Sequence, residues 1–406
     1  VANGTGYLHA SLPEDRELGA VEEALERVGG VADPLRRAEA LRRALGPELG
    51  RKAAELAALR ARARERFPSG WLRLLTRRGL EQSTRESVAR ERARRIAAVA
   101  PSCVVLDATC GLGADARAVS EMGMAVVAAD RDPSIARCAR ANLAGSRTAH
   151  VVVQAEATAP PLDPGRAFLV IDPDRRAEGE RELDPERWSP PFSAVRALAS
   201  RFRGACIKLS PAFDMGELGG WEEGSVLAQW VSEQGELCEA NLWTGVGAGP
   251  EAGLREAVAL AADGSRACLA GVPIPAAGVL SENSSGNFWL FDPNPAVVRA
   301  GLVGNLAREQ GWQAVDPHLA YLTGPAPSAT PLARGWRVLE VVSADPRRVR
   351  EALGRHGFGP VEVRKRGHPE PAEVLAAAFR GSGARRGLVA VARTDEGHIA
   401  FVLEPG

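Results

Sequence analysis

Two aspartates, each ending a strand-like run, are the residues of this sequence best placed to do chemistry. Asp107 closes Cys103-Val-Val-Leu-Asp107 and opens a glycine loop, Asp107-Ala-Thr-Cys-Gly-Leu-Gly113. Asp172 closes the run from Ala167 and opens Asp172-Pro-Asp-Arg-Arg176. In open α/β sheets ligands sit at the carboxyl ends of the strands, so both acids are expected to face a ligand. A glycine loop between strand and helix lets the backbone approach that ligand closely.

Three features indicate which ligand the first loop takes. A carboxylate at Asp107 suits a cationic sulfonium and amino group, whereas a pyrophosphate would be repelled. The third glycine of a dinucleotide fingerprint is absent, and Ala116 stands there. Asp130 ends the next strand-like run, roughly twenty residues on, the offset of an acid that grips a ribose diol. The expected cofactor is therefore S-adenosylmethionine, held by Asp107, Gly111, Gly113 and Asp130; Glu156 after the third strand either meets the adenine edge or is simply a solvated acid. Asp115 either extends this lining or simply begins the next helix, where the helix dipole favours an acid.

At the second loop Asp172, followed by Pro173, is expected to accept a hydrogen bond from the nucleophile of the substrate and so position it. Methyl transfer needs in-line geometry more than strong acid–base chemistry. Arg175 and Arg176 suit a phosphate or carboxylate of the substrate; the alternative is a solvated loop in which they pair with Glu178, Glu180 or Glu182. Lys208, one of only three lysines, ends the fifth strand-like run. It either faces the site or is an ordinary lysine at a strand end. Ser210, Pro211 and Asp214 belong to the same rim.

Elements must hold these residues in place. From about residue 17 to 100 the apolar spacing is helical. Asp33-Pro34 marks one helix start, Glu48 to Phe67 reads as one long amphipathic helix, and Thr84 is expected to cap a helix through Ala100. After Pro101 short β-branched runs alternate with helical ones, which implies a parallel sheet flanked by helices. Val226 to Trp243 and Arg266 to Gly271 read as antiparallel edge strands. Asn294-Pro295 begins a helix through about Gln310, and from Trp336 a small α+β pattern follows. The expected division is 1–100 as a helical N-terminal region, 101–330 as the α/β domain with the site, and 331–406 as a small α+β domain.

The composition agrees with a folded protein. The 406 residues carry 51 basic and 51 acidic side chains, so no global field draws the chain to nucleic acid, though a local patch can. The six cysteines are scattered without a C-x-x-C pair, so neither a metal site nor a disulfide framework is expected. No signal-like or membrane-spanning stretch is read, and the expected location is cytoplasmic.

As a set, several segments carry a resemblance: Thr76-Arg-Arg-Gly-Leu-Glu-Gln-Ser-Thr84, Asp107 to Asp115, Asp172 to Arg176, Lys208-Leu-Ser-Pro211, Asp292-Pro-Asn-Pro-Ala-Val-Val-Arg-Ala-Gly301 and Val363-Arg-Lys-Arg-Gly367. With them the chain resembles the bacterial class I S-adenosylmethionine-dependent methyltransferases with a THUMP-like C-terminal domain, themselves similar to trimethylguanosine synthase. The resemblance implies an α/β fold: a Rossmann-like class I methyltransferase sheet with a helical N-terminal region and a small α+β C-terminal domain. It implies that Gln82 and Thr84 lie against the cofactor, and that RNA is the partner, since THUMP domains accompany RNA-modifying enzymes. Arg364-Lys-Arg366 would then contact phosphate; the alternative is a solvated charge run.

One departure stands out. Enzymes that methylate an exocyclic base nitrogen usually carry a second proline and an aromatic ring after the aspartate. Here Asp174 and Arg175 stand there, so a stacking ring would have to come from Trp188 or Phe192. The leading reading is methylation of a nucleobase in RNA. The alternatives are a small-molecule methyltransferase and a catalytically silent RNA-binding protein of the same fold.

Overall fold

The computed structural model describes residues 12–177, 180–182, 184–213, 223–277, 288–394 and 397–405. It divides into two compact units: Val1–Leu209 with Leu242–Pro250, and Ser210–Asn241 with Glu251–Gly406.

The first unit begins with α1 (Asp15–Arg27), α2 (Pro34–Leu45), α3 (Pro47–Ala63), α4 (Arg77–Gln82) and α5 (Glu86–Val99). Asp33 caps α2, accepting from the Leu35 amide at 3.0 Å, with Pro34 in the first turn as its fixed φ prefers. The long helix expected to reach Phe67 ends at Ala63; Phe67 is buried in the turn beyond it. Thr84 does not cap α5. Arg85 stands at the cap position, and the Thr84 hydroxyl turns to another partner.

The sheet of this unit follows as β1 (Val104–Asp107), α6 (Ala114–Glu121), β2 (Val126–Asp130), α7 (Pro133–Leu143), β3 (His150–Gln154), β4 (Ala167–Ile171), the short pair β5 (Arg176–Ala177) and β6 (Glu180–Arg181), α8 (Phe192–Ala199) and β7 (Gly204–Leu209). The order β3-β2-β1-β4-β7 is parallel throughout. β4, Ala-Phe-Leu-Val-Ile, is buried at every position, as a central strand covered on both faces must be. The strand order reverses between β1 and β4, where Asp107 lies in register with Val170. That switch point is where such sheets open a crevice, and it brings the ends of β1 and β4 side by side.

The second unit contains β8 (Val226–Glu233) and the start of β9 (Glu236–Gly245), joined by Gln234-Gly235, both at positive φ (51° and 82°), which makes a tight hairpin turn. Then β10 (Arg255–Leu260) runs parallel to β8 and pairs antiparallel with β11 (Arg266–Gly271). Only antiparallel edge strands were expected here, and β10 was not anticipated.

A seven-stranded sheet completes the unit: β12 (Trp289–Pro293), α9 (Pro295–Ala300), α10 (Val303–Gln310), β13 (Gln313–Ala314), β14 (Leu322–Gly324), β15 (Ala333–Ser343), α11 (Pro346–Arg355), β16 (Phe358–Arg366), α12 (Ala372–Phe379), β17 (Arg385–Thr394) and β18 (Gly397–Leu403), ordered β13-β14-β12-β15-β18-β17-β16. The single helix expected over 294–310 is two, broken where Gly301 takes φ 73°. Alternation along β17 sends Leu388, Ala390 and Ala392 to one core and Val389 and Val391 to the other. The first core also takes in Leu290, Val315 and Tyr321, so this sheet reaches back well before residue 331.

No helix among the described residues is long and apolar enough to cross a membrane, and none of their His, Cys, Asp and Glu side chains gather into a metal-holding group.

Candidate active site

The loop after β1 is held by its backbone. The Ala108 amide donates to the Val170 carbonyl and the Cys110 amide to the Ala129 carbonyl, both at 2.9 Å, tying the loop to β4 and β2. Gly111 takes φ 54° and Gly113 φ 84°, the left-handed region that favours glycine. A side chain at Gly111 would point into open space, the space a ligand needs. Asn142 of α7 clamps the far side: its amide donates to the Leu112 and Leu74 carbonyls at 2.9 Å, and its oxygen accepts from the Arg73 and Leu74 amides at 2.8 Å. Gly79 of α4 lies so near Leu112 that a β-carbon would stand 2.8 Å from that side chain. α4 therefore rests on the loop.

Asp107 is 3% exposed, and its Oδ2 has no hydrogen-bond partner among the described residues. A buried acceptor left unmet costs on the order of 1–3 kcal/mol, more when charged, unless a ligand supplies the donor. Burial, and then the neighbouring carboxylate of Asp115, push the Asp107 carboxyl up to about 8. Asp130 is half-buried; its two oxygens accept from the Gly111 amide at 3.1 Å and the Asp132 amide at 2.9 Å. Burial raises its carboxyl as well, against the pull of those amides. The set fits S-adenosylmethionine: an orphaned buried acceptor for a cationic group, an open glycine shelf, and an acid at the ribose offset.

The end of β4 is built differently. The Asp172 amide donates to Thr109 Oγ1 at 2.7 Å, joining the two loops, and Pro173 is buried. The Asp172 side chain is 31% exposed, and its Oδ2 lies 2.9 Å from Lys208 Nζ. Lys208 also donates to Thr84 Oγ1 at 2.7 Å and to Asp115 Oδ2 at 3.2 Å. The other oxygen of Asp115 takes a short ion pair from Arg92. Burial works to raise the Asp115 carboxyl, but the charges of Arg92 and then Lys208 outweigh it and hold it below its ordinary value. Lys208 is therefore neither solvated nor a simple strand-end lysine.

Beyond Asp172 the chain forms a loop closed at its base, where Asp174 and Ser189 exchange backbone hydrogen bonds at 2.9 Å. Arg78 approaches Asp174 at 3.7 Å, and Arg131 donates to Ser189 Oγ at 3.0 Å. Trp188 is 6% exposed, donates from Nε1 to the Glu182 carbonyl at 3.1 Å, and meets Phe192 edge-on at 5.7 Å. Its ring is packed as loop core, so a free stacking face is not what the fold presents. Arg175 is half-buried and its carbonyl accepts from the Glu182 amide. The backbone of Arg176 pairs with Arg181, but its side chain, like Asp214, lies outside the described residues.

Gln82 is exposed at the end of α4, and Glu156 is exposed after β3. Of the residues picked from sequence, the fold brings together Asp107, Gly111, Gly113, Asp130, Asp172, Lys208 and Thr84. Arg92 and Asn142 were not foreseen. Arg92 is one arginine among several on α5, and nothing in its spacing marks it as the buried one.

In the second unit the Arg364–Arg366 run is neither a free phosphate grip nor a solvated run. Arg366 donates from Nε and Nη2 to Asp292 Oδ1 at 3.0 and 2.6 Å and lies over the Tyr321 ring. Arg364 reaches Asp292 at 3.6 Å and lies over the Trp336 ring. Lys365 donates to the His368 carbonyl. The two arginines and Asp292 form an internal lock between β16 and β12.

Comparison with known proteins extends these observations. Residues 333–405 match the family profile described as THUMP domain-like. Two Mycobacterium tuberculosis proteins, from strains CDC 1551 and H37Rv, are each 33% identical to the chain over 338 residues, 82% of this chain and 88% of theirs. Both are named uncharacterized S-adenosylmethionine-dependent methyltransferases. The crystal structure of a candidate methyltransferase from Porphyromonas gingivalis W83 superposes with a TM-score of 0.75 at 18% identity, covering 97% of this chain and 98% of that one, and so shares the fold.

Proposed function

The chain belongs to the S-adenosylmethionine-dependent methyltransferases, and on that premise we propose that it methylates a nucleobase in RNA. When bound, the cofactor supplies an activated methyl group on its sulfonium and leaves as the neutral thioether. In this reading Asp107 receives the cofactor's cationic end, Gly111 and Gly113 shape the shelf, Asp130 takes the ribose, and Gln82 and Glu156 flank the adenosine. Asp172 would accept a hydrogen bond from a proton on the attacking atom and so aim that atom's lone pair at the methyl; the proton passes to water after transfer. Pro173 and Arg175 stand on the acceptor side and Trp188 buttresses the loop behind them, while Arg176 is proposed for the substrate on its sequence position alone.

The observation that carries the reading at the acceptor end is a partly exposed carboxylate at the switch point beside the orphaned buried one. RNA as the acceptor is supported by the THUMP-like match, a domain type that accompanies RNA-modifying enzymes. As a division of labour we propose helical support from 1–100, chemistry within 101–330 and an RNA-facing role for 331–406; the two compact units cut across it, since 210–241 and 251–330 belong with the C-terminal residues. The test is mass spectrometry of total RNA nucleosides from cells with and without the protein. Loss of one methylated nucleoside supports the reading; an unchanged nucleoside profile overturns it.

A small-molecule acceptor is a second reading, and one observation favours it. Arg364 and Arg366, the basic pair otherwise available for phosphate, are engaged by Asp292 and two aromatic rings.

A further inference from the structure

Three oxygens of the described residues lie close around one ammonium group at this site. Thr84 Oγ1, Asp172 Oδ2 and Asp115 Oδ2 lie 2.7, 2.9 and 3.2 Å from Lys208 Nζ. An ammonium carries three protons to donate and no lone pair, and two carboxylates this close favour that charged form. Behind Asp115 stands Arg92, whose side chain is 2% exposed. From core to site the charges alternate: Arg92 positive, Asp115 negative, Lys208 positive, Asp172 negative. Each buried ion thus has an opposite neighbour, the condition under which ions are tolerated away from water. The four residues come from α5, α6, β7 and the end of β4, so the chain of charges ties four elements to the point where β4 opens.

We infer that Lys208 is a positioning residue for methyl transfer: as an ammonium it holds Oδ2 of Asp172, leaving Oδ1 for the acceptor, while Arg92 and Asp115 fix the ammonium from behind. The inference rests on the reading that Asp172 faces the acceptor. It assigns Lys208 no proton-transfer role. Its lone pair is absent in the charged form, and its protons are directed at Thr84, Asp115 and Asp172. In-line transfer is sensitive to placement, and a misplacement of about 1 Å can cost on the order of 10²-fold in rate. An untethered Asp172 would therefore lower turnover without touching the cofactor shelf.

With three lysines in the chain, protein labelled with ¹⁵N-lysine gives three Nζ resonances. The expected result is a slowly exchanging ammonium signal from Lys208, assigned by its loss in Lys208→Met and displaced in Asp172→Asn. A neutral-amine shift at neutral pH, or a signal indifferent to Asp172→Asn, overturns the inference. Calorimetry should give S-adenosylmethionine affinities within about threefold of wild type for Lys208→Met, while transfer of labelled methyl to total RNA should lose roughly 10²-fold in kcat with little change in KM. Wild-type kcat in that variant overturns the inference. Should Lys208→Met fail to fold, Lys208→Arg keeps the charge but not the three-way geometry, and is expected to retain cofactor affinity with the same kcat loss. If wild-type protein transfers no methyl to total RNA, the RNA reading falls, and the ammonium resonance with its response to Asp172→Asn still decides the role of Lys208.

Discussion

Asp107 and Asp172 end adjacent strands of one sheet, yet they are built in opposite ways. Asp107 is buried, has an unmet oxygen and is pushed toward its neutral form. Asp172 is partly exposed and has its counter-ion supplied by Lys208. The difference lies in where the cation comes from. In the proposed reading the positive charge at Asp107 arrives with the ligand, which suits capture. At Asp172 the protein itself provides the cation, which suits positioning.

Substitutions can break this contrast, in descending order of effect. Gly111→Arg forces a side chain into the open shelf at positive φ, so calorimetry should detect no heat of S-adenosylmethionine binding while circular dichroism stays native. Asp172→Asn should leave cofactor affinity within about threefold yet lower kcat by roughly 10²-fold or more; a matching loss of cofactor affinity would erase the distinction between the two aspartates. Asp107→Asn is expected to do the reverse, weakening the cofactor by roughly 10- to 100-fold at pH 8, the worth of one charge-assisted hydrogen bond.

A pH series sharpens the same contrast. In the unliganded protein Asp107 keeps its proton up to about pH 8, because burial and the charges of Asp115 and Asp130 outweigh those of Lys208 and Arg92. A cationic ligand favours the ionised form, so binding expels that proton. Affinity should therefore rise with pH, by at most about tenfold per unit, and flatten above pH 8. Calorimetry in buffers of different ionisation enthalpy should count close to one proton released at pH 6.5, and less in Asp107→Asn. By the same linkage, the unliganded fold loses stability from this group as pH rises from near 3.8 toward 8, because the unfolded chain releases the proton first. The smallest effect belongs to Thr84→Val, which removes one of three oxygens from the ammonium: about 1 kcal/mol, read as a fall of a few degrees in Tm.

The position of the glycine loop was legible because it depends on local matters: a strand-like run, two glycines and a helix start. Asp130, which holds the Gly111 amide, was picked out by its offset and its place at the end of a strand. Thr84 was misjudged as a helix cap, since a cap bonds only neighbouring amides, whereas an ammonium 124 residues away offers a stronger, charge-assisted partner. β10 escaped notice because Arg255-Glu-Ala-Val-Ala-Leu260 is short and holds a charged residue, Glu256, that the fold buries against Gln229. The Arg364–Arg366 run looked like a surface patch because its counter-ion, Asp292, lies more than seventy residues away.

The sequence by itself determined the alternation of strands and helices, and it singled out the ends of β1 and β4 as the candidate cofactor and acceptor loops. These are properties of backbone preference and of residues a few positions apart. Only the tertiary structure decided which of 51 basic side chains are buried and whom they meet. Arg92 became the anchor behind Asp115, Lys208 the tether of Asp172, and Arg366 a lock on Asp292. The physical reason is that ion pairing depends on distance through space and on exclusion of water, and both are set by the packing of elements remote in the chain.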